Sequence, residues 1–225
     1  MNSDDTPNKP DAVTPKLSSL LKDLRASEPL HLEVGLRMMK AADGAVFPVD
    51  LLAWAALNRS ANLVPGFASL IEARNLIAAA PLLRLQLDNC LRFHGVYIVA
   101  KPHDFASAVL KGEQVRKMKD SKGKPMTDRH LVECVAKDFP WITRVYEKTS
   151  GYVHLSDAHI ASVFSETPRE KLDKGICEIA IGPGDKFTTP ALYEEAVEAF
   201  IAATKALFHY LVGWTKTKES KSNGS

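Results

Sequence analysis

The sequence predicts a mainly α-helical bundle with a small β-hairpin insert near residues 159–181. Three features carry that expectation. Apolar residues fall on one side of successive segments at helical spacing, most plainly at Leu51, Leu52, Ala55 and Leu57, and along Leu192, Ala196, Phe200, Ala203, Leu207, Leu211 and Trp214. Pro48, Thr127, Pro140 and the Thr189–Pro190 pair stand where helices open, because a first-turn proline loses no hydrogen bond and a threonine side chain caps free N–H groups. Ile160 to Phe164 and Ile176 to Ile181 are short, β-branched, alternating runs joined by a polar connection, and Gly182, Pro183 and Gly184 close them.

Taken in order, residues 1–15 contain Pro7, Pro10 and Pro15 among polar side chains and read as a disordered arm. Helices follow over about Leu17–Arg25 and Leu30–Ala42. The helix opened by Pro48 is expected to stop at Pro65 and Gly66, with a new one from Phe67 to about Ala79. Pro81 begins PLLRLQLDNCLRFHGVYIVA, a run apolar on nearly every side, which suits the centre of a bundle. A shorter helix around Asp104–Leu110 precedes the basic loop with Arg116, Lys117, Lys119, Lys122 and Lys124. Thr127 caps a helix ending near Asp138, and Pro140 opens one that runs to about Val153. After the hairpin comes the last long helix, and residues 216–225 are too polar to pack. The domain organisation is therefore one helical domain over 16–215 between an arm and a disordered tail at 216–225.

Composition bounds the function without naming it. The 225 residues hold 29 basic and 27 acidic side chains, a formal charge of +2 that neither demands nor excludes a nucleic acid. Cys90, Cys134 and Cys177 are odd in number and widely spaced, so buried, reduced thiols of a soluble cytoplasmic protein are expected rather than a disulfide framework or a zinc site. The amino terminus lacks a basic stretch followed by an apolar one, and Leu76–Ala100, the run most like a membrane span, carries Arg84, Asp88 and Arg92. No membrane partner is expected. Neither a Walker A loop nor a dinucleotide glycine fingerprint occurs, and no cofactor is expected.

Arg84, Asp88 and Arg92 stand at i, i+4 and i+8, so all three share a face of the central helix, with Asn89 alongside. Charges on an apolar helix need partners, since an unpaired buried charge costs several kcal/mol. Either Asp88 clamps both arginines in a buried network, or the arginines line a pocket for an anion such as phosphate, or the stripe is plainly solvent-exposed. Tyr146, Ser150 and His154 repeat the spacing. They are either a hydrogen-bond ladder between helices, or a row that brings His154 to the arginines as a general acid–base group. No GxSxG elbow exposes Ser150 as a nucleophile. His154, Asp157 and His159 lack the spacing that would put both rings on one helical face, so no metal is expected. Glu72, Arg74 and Asn75 form a further polar group that either reaches the same interior or is solvated.

The segments RLQLDNCLRFHGVYIV, PHDFASAVLKGEQVRKMKD, KGKPMTDRHLV and VYEKTSGYVHLSDAHI together resemble a group of uncharacterised bacterial helical proteins that share the arginine-bearing helix and a Y-x3-S-x3-H segment. The likeness covers roughly residues 70–165 and brings no activity with it. More distantly, the layout resembles the HEPN superfamily of helical bundles, many of them metal-independent RNases of defence and toxin systems. That likeness implies an R-x4–6-H motif. Here Lys148 stands six residues before His154, and Pro29 divides Arg25 from His31, so the motif is missing.

Two functions follow as expectations. One is a non-catalytic interaction or regulatory module, with a homodimer as one form of it, whose polar residues organise the bundle. The other is an RNA- or nucleotide-acting enzyme in which His154 moves protons while Arg84 and Arg92 stabilise phosphate charge. The first requires the arginines to be sealed and mutually bonded, the second an open cleft, and a small-ligand sensor a closed cavity of several hundred Å3.

Overall fold

A computed structural model describes residues 13–153, 159, 163, 173–175, 179, 181, 182 and 184–222. The helices are α1 (Pro15–Arg25), α2 (Glu28–Lys40), α3 (Pro48–Glu72), α4 (Leu76–Ile98), α5 (Pro102–Leu110), α6 (Asp128–Val135), α7 (Ile142–Ser150) and α8 (Pro190–Ser222). The mainly α-helical class holds. Among the described residues there is no strand, and the hairpin expected near 159–181 falls mostly outside them. Of the positions that are described there, His159 and Val163 are helical, and Ile179 lies in a β-bridge. Ile160, Val163 and Phe164 fit i, i+3, i+4 as readily as alternation, and a short apolar run does not separate the two periods.

Local chemistry opens most helices. Thr14 accepts from Leu17 N and Thr127 from His130 N, each satisfying an N–H that the first turn leaves free. Asn75 caps α4 by accepting from Ala78 N, and Asp185, far along the chain, accepts from Leu76 N. The start of α4 therefore precedes Pro81, which lies inside the helix. Pro65 likewise fails to stop α3. Its missing N–H is offset by burial of Val64, Phe67, Ala68 and Ile71 on the side facing the core. The actual break is Arg74, at φ 57°, where Arg74 N and Asn75 N turn back to the carbonyls of Ile71 and Leu70.

That sharp connection folds α4 back along α3. Arg59 reaches Asp88, Ser60 meets Gln86, and Gly66 faces Leu82, an antiparallel register. α4 also touches α5, α6, α7 and α8, so it is the central rod. Leu83, Leu87, Cys90, Leu91, Phe93 and Val96 are buried along it. Phe67 and Phe200 stack with centroids 4.2 Å apart and join α3 to α8.

By length and composition α8 could cross a membrane, a test that the core helix of a soluble protein also passes, and half of its most apolar stretch is buried inside the fold. It runs beyond the expected boundary at residue 215: Lys218 is buried and holds Asp50 of α3. Helical continuation carries that lysine inward, which its polar sequence neighbourhood conceals. The arm expected at 1–15 lies outside the described residues up to position 12, and its last residues cap and begin α1.

Candidate functional site

The arginine stripe of α4 does meet partners, and Asp128 is the chief one. Asp128 is the first residue of α6, placed there by the Thr127 cap. Its carboxylate takes the Arg92 Nη2 donor at 2.5 Å and stands 3.6 Å from Arg84 Nη2. The Tyr146 hydroxyl of α7 donates to the same carboxylate at 3.2 Å, and the Arg84 guanidinium lies over the Tyr146 ring, 3.3 Å from its centroid. Asp88 accepts from Arg92 Nε at 3.0 Å and from Arg59 Nη1 at 3.2 Å. Asp88 thus clamps one of the two expected arginines, and the second clamp comes from another helix.

Arg84 and Arg92 side chains are 17% and 28% exposed, so both are largely withdrawn from solvent. Burial pushes the Arg84 guanidinium below its ordinary value, with Tyr146 and Asp128 acting the other way. Burial likewise raises the Tyr146 phenol, which Arg84 opposes. Each arginine keeps one buried Nη1 that has no hydrogen-bond partner among the described residues.

From Arg59 a second branch runs inward. Arg59 donates to Asn89 Oδ1 at 3.1 Å, Asn89 Nδ2 to Gln86 Oε1 at 3.1 Å, and Gln86 Nε2 to Ser60 Oγ at 2.7 Å and Thr204 Oγ1 at 3.0 Å. Ser60 meets His31 Nε2 at 2.8 Å, and His31 Nδ1 contacts the Ser27 carbonyl at 2.9 Å. A carbonyl only accepts, so Nδ1 carries the proton and Nε2 accepts from Ser60. This requires neutral His31, in line with burial lowering its pKa. The donors therefore point one way, from Arg59 to His31, through a core where His31, Ser60, Gln86, Asn89 and Thr204 are all buried. With the Asp88–Arg92–Asp128–Tyr146 branch, one hydrogen-bonded spine links α2, α3, α4, α6, α7 and α8.

The other predicted residues divide. Ser150 turns back to the Tyr146 carbonyl at 2.8 Å rather than extending a ladder from the Tyr146 hydroxyl. His154 lies outside the described residues. Glu72 is not part of the spine. It forms a bidentate contact with Arg25 at the C-terminal end of α3, at 2.9 Å to each oxygen. Arg74 sits 4.1 Å over the Tyr193 ring, held there by the turn that ends α3. Both face away because the helix ends just there. The basic loop is an ordered turn: Asp120 accepts from Lys122 N at 2.9 Å, Lys124 N at 2.8 Å and the His130 ring at 2.9 Å. Cys90 is buried, which pushes its thiol up to about 12.

Arg59, Ser60, Gln86, Asp128 and Thr204 escape the sequence reading, and His31 enters it only beside Arg25 and not as a partner of α4. Gln86 lies three residues before Asn89 within the same apolar run, a signal that was there to use. Asp128 gives none, because it reads as an ordinary acidic first-turn residue. Among the described residues, no cluster of three metal-ligating side chains occurs. A cavity of about 70 Å3 between α4, α7 and α8, lined by Leu83, Val145 and Ala196, is small for an organic ligand. Comparison of the chain with family models, curated proteins and solved structures gives no match.

Proposed function

We propose that the protein is a non-catalytic helical interaction module whose polar interior serves to set the bundle's geometry. The observation that carries this reading is Asp128. One carboxylate from α6 engages both candidate catalytic arginines and the Tyr146 hydroxyl. Guanidiniums held this way have their charge met by the protein itself, which leaves less of it for a reacting phosphate. The inner branch supports the same role, since a buried network with its polar groups paired rigidifies a core and selects one packing.

A second reading, an RNA- or nucleotide-acting enzyme of the HEPN-like kind working without metal, draws on the unpartnered Nη1 atoms of Arg84 and Arg92. Each retains a donor suited to a phosphate oxygen. In that case His154 would supply the acid–base group. The test is incubation of purified protein, in the presence of a chelator, with total cellular RNA and with nucleoside triphosphates. No turnover is expected, and Arg92→Gln should lower the melting temperature. Cleavage by the wild type that vanishes in an Arg92→Gln or His154→Ala variant of unchanged melting temperature would overturn the module reading.

A further inference from the structure

We infer that α2, with the groove between it and α3, is a homodimerisation surface that takes a second copy of this chain in antiparallel two-fold contact. Large apolar side chains gather on the outer face of this helix. Leu32, Leu36 and Met39 stand at i, i+4 and i+7 and are 67%, 44% and 54% exposed. Beside this ridge runs a groove of about 370 Å3, lined by the same three residues with Trp54, Leu57 and Ala61 of α3. A ridge of this kind next to a groove is unusual on a surface that stays in water. Gly35 keeps the groove's floor narrow, because a Cβ there would stand 3.2 Å from Leu57 Cδ2. Trp54 Nε1 is buried at this place with no hydrogen-bond partner among the described residues.

Charge selects the occupant. Glu33 and Lys40 flank the ridge, exposed and without an ion pair among the described residues. They are seven residues apart, about 10.5 Å along the axis and nearly on one side of the helix. A second α2 laid antiparallel across Leu36 therefore brings each Glu33 opposite the other copy's Lys40, while Leu32 meets Met39. One operation satisfies every contact twice, as an isologous interface requires. It also sets the ridge of each copy into the groove of the other, and it opposes the two helix dipoles.

This inference rests on the module reading but fails separately from it. Sedimentation velocity of the full chain over a wide dilution series should show a monomer–dimer equilibrium. Leu36→Glu changes an exposed position, so circular dichroism and melting temperature should stay as in the wild type while dimerisation weakens about thirtyfold or more. Glu33→Lys and Lys40→Glu should each weaken it about tenfold, since every ion pair occurs twice, and the double exchange should restore it. A wild type that is monomeric throughout overturns the inference and leaves the groove to a different chain. A dimer indifferent to Leu36→Glu, or a double exchange that does not restore association, overturns it too. RNA or nucleotide turnover is the separate result that would sink the module reading.

Discussion

Removing the negative charge of Asp50 should destabilise the fold more than any change on the arginine stripe. Asp50 and Lys218 side chains are both 0% exposed, with Nζ and Oδ2 3.1 Å apart. The carboxylate also accepts from Trp214 Nε1 at 2.7 Å and from Phe47 N at 2.8 Å, while the ammonium donates to the Met38 carbonyl at 3.0 Å. Asp50→Asn keeps the shape but turns an acceptor-only group into one with two donors. The amide nitrogen must face either the Trp214 N–H or the Lys218 ammonium with Phe47 N, and in both orientations the ammonium keeps only neutral acceptors. Breaking a buried pair in this way costs about 3–5 kcal/mol. At about 2–4 °C per kcal/mol for a domain of this size, the melting temperature should fall by about 6–20 °C. Calorimetry at neutral pH measures the drop. Asp50→Asn combined with Lys218→Met should recover part of it, because no lone charge remains inside. A single variant melting within about 2 °C of the wild type would refute the reasoning and would mean that the end of α8 does not lock the bundle.

Three further outcomes are expected. Asp128→Asn frees Arg84 and Arg92 at once and, since the group is partly exposed, should cost about 1–2 kcal/mol, read by urea denaturation. An unchanged midpoint would show the cluster to be energetically idle. Burial pushes His94 down to about 4, so the folded chain keeps it neutral while the unfolded chain takes up a proton below about pH 6.5. Its contribution to stability is whole above that pH and drains away towards pH 4, by roughly 3 kcal/mol in all. His94→Phe should therefore gain on the wild type steadily from pH 7 to pH 5 in thermal melts, and a constant difference would contradict the assignment. Gly95→Ala should cost about 1–3 kcal/mol, because its Cβ would stand 2.7 Å from Phe105 Cζ in a closed part of the core; a neutral effect by calorimetry would show that the ring yields freely.

What the amino-acid order settled by itself was whatever depends on neighbours a few residues apart. The helical class, the cap at Thr127, the opening of α8 at Pro190, and the shared face of Arg84, Asp88 and Arg92 all follow from spacing along one chain segment. Even there, locally strong signals could lose. Pro65 and Pro81 sit inside helices because the apolar faces around them are buried, and burial outweighs one lost hydrogen bond. Which charges pair was a matter for the tertiary structure alone. Asp128 is 36 positions from Arg92, and Lys218 is far beyond Asp50 in the chain, so no periodicity connects them. The packing of α6 on α4 and of α8 on α3 makes those pairs. In a low-dielectric interior a charge must then find whichever partner the packing delivers, and for that reason the spine from His31 to Tyr146 was decided in three dimensions.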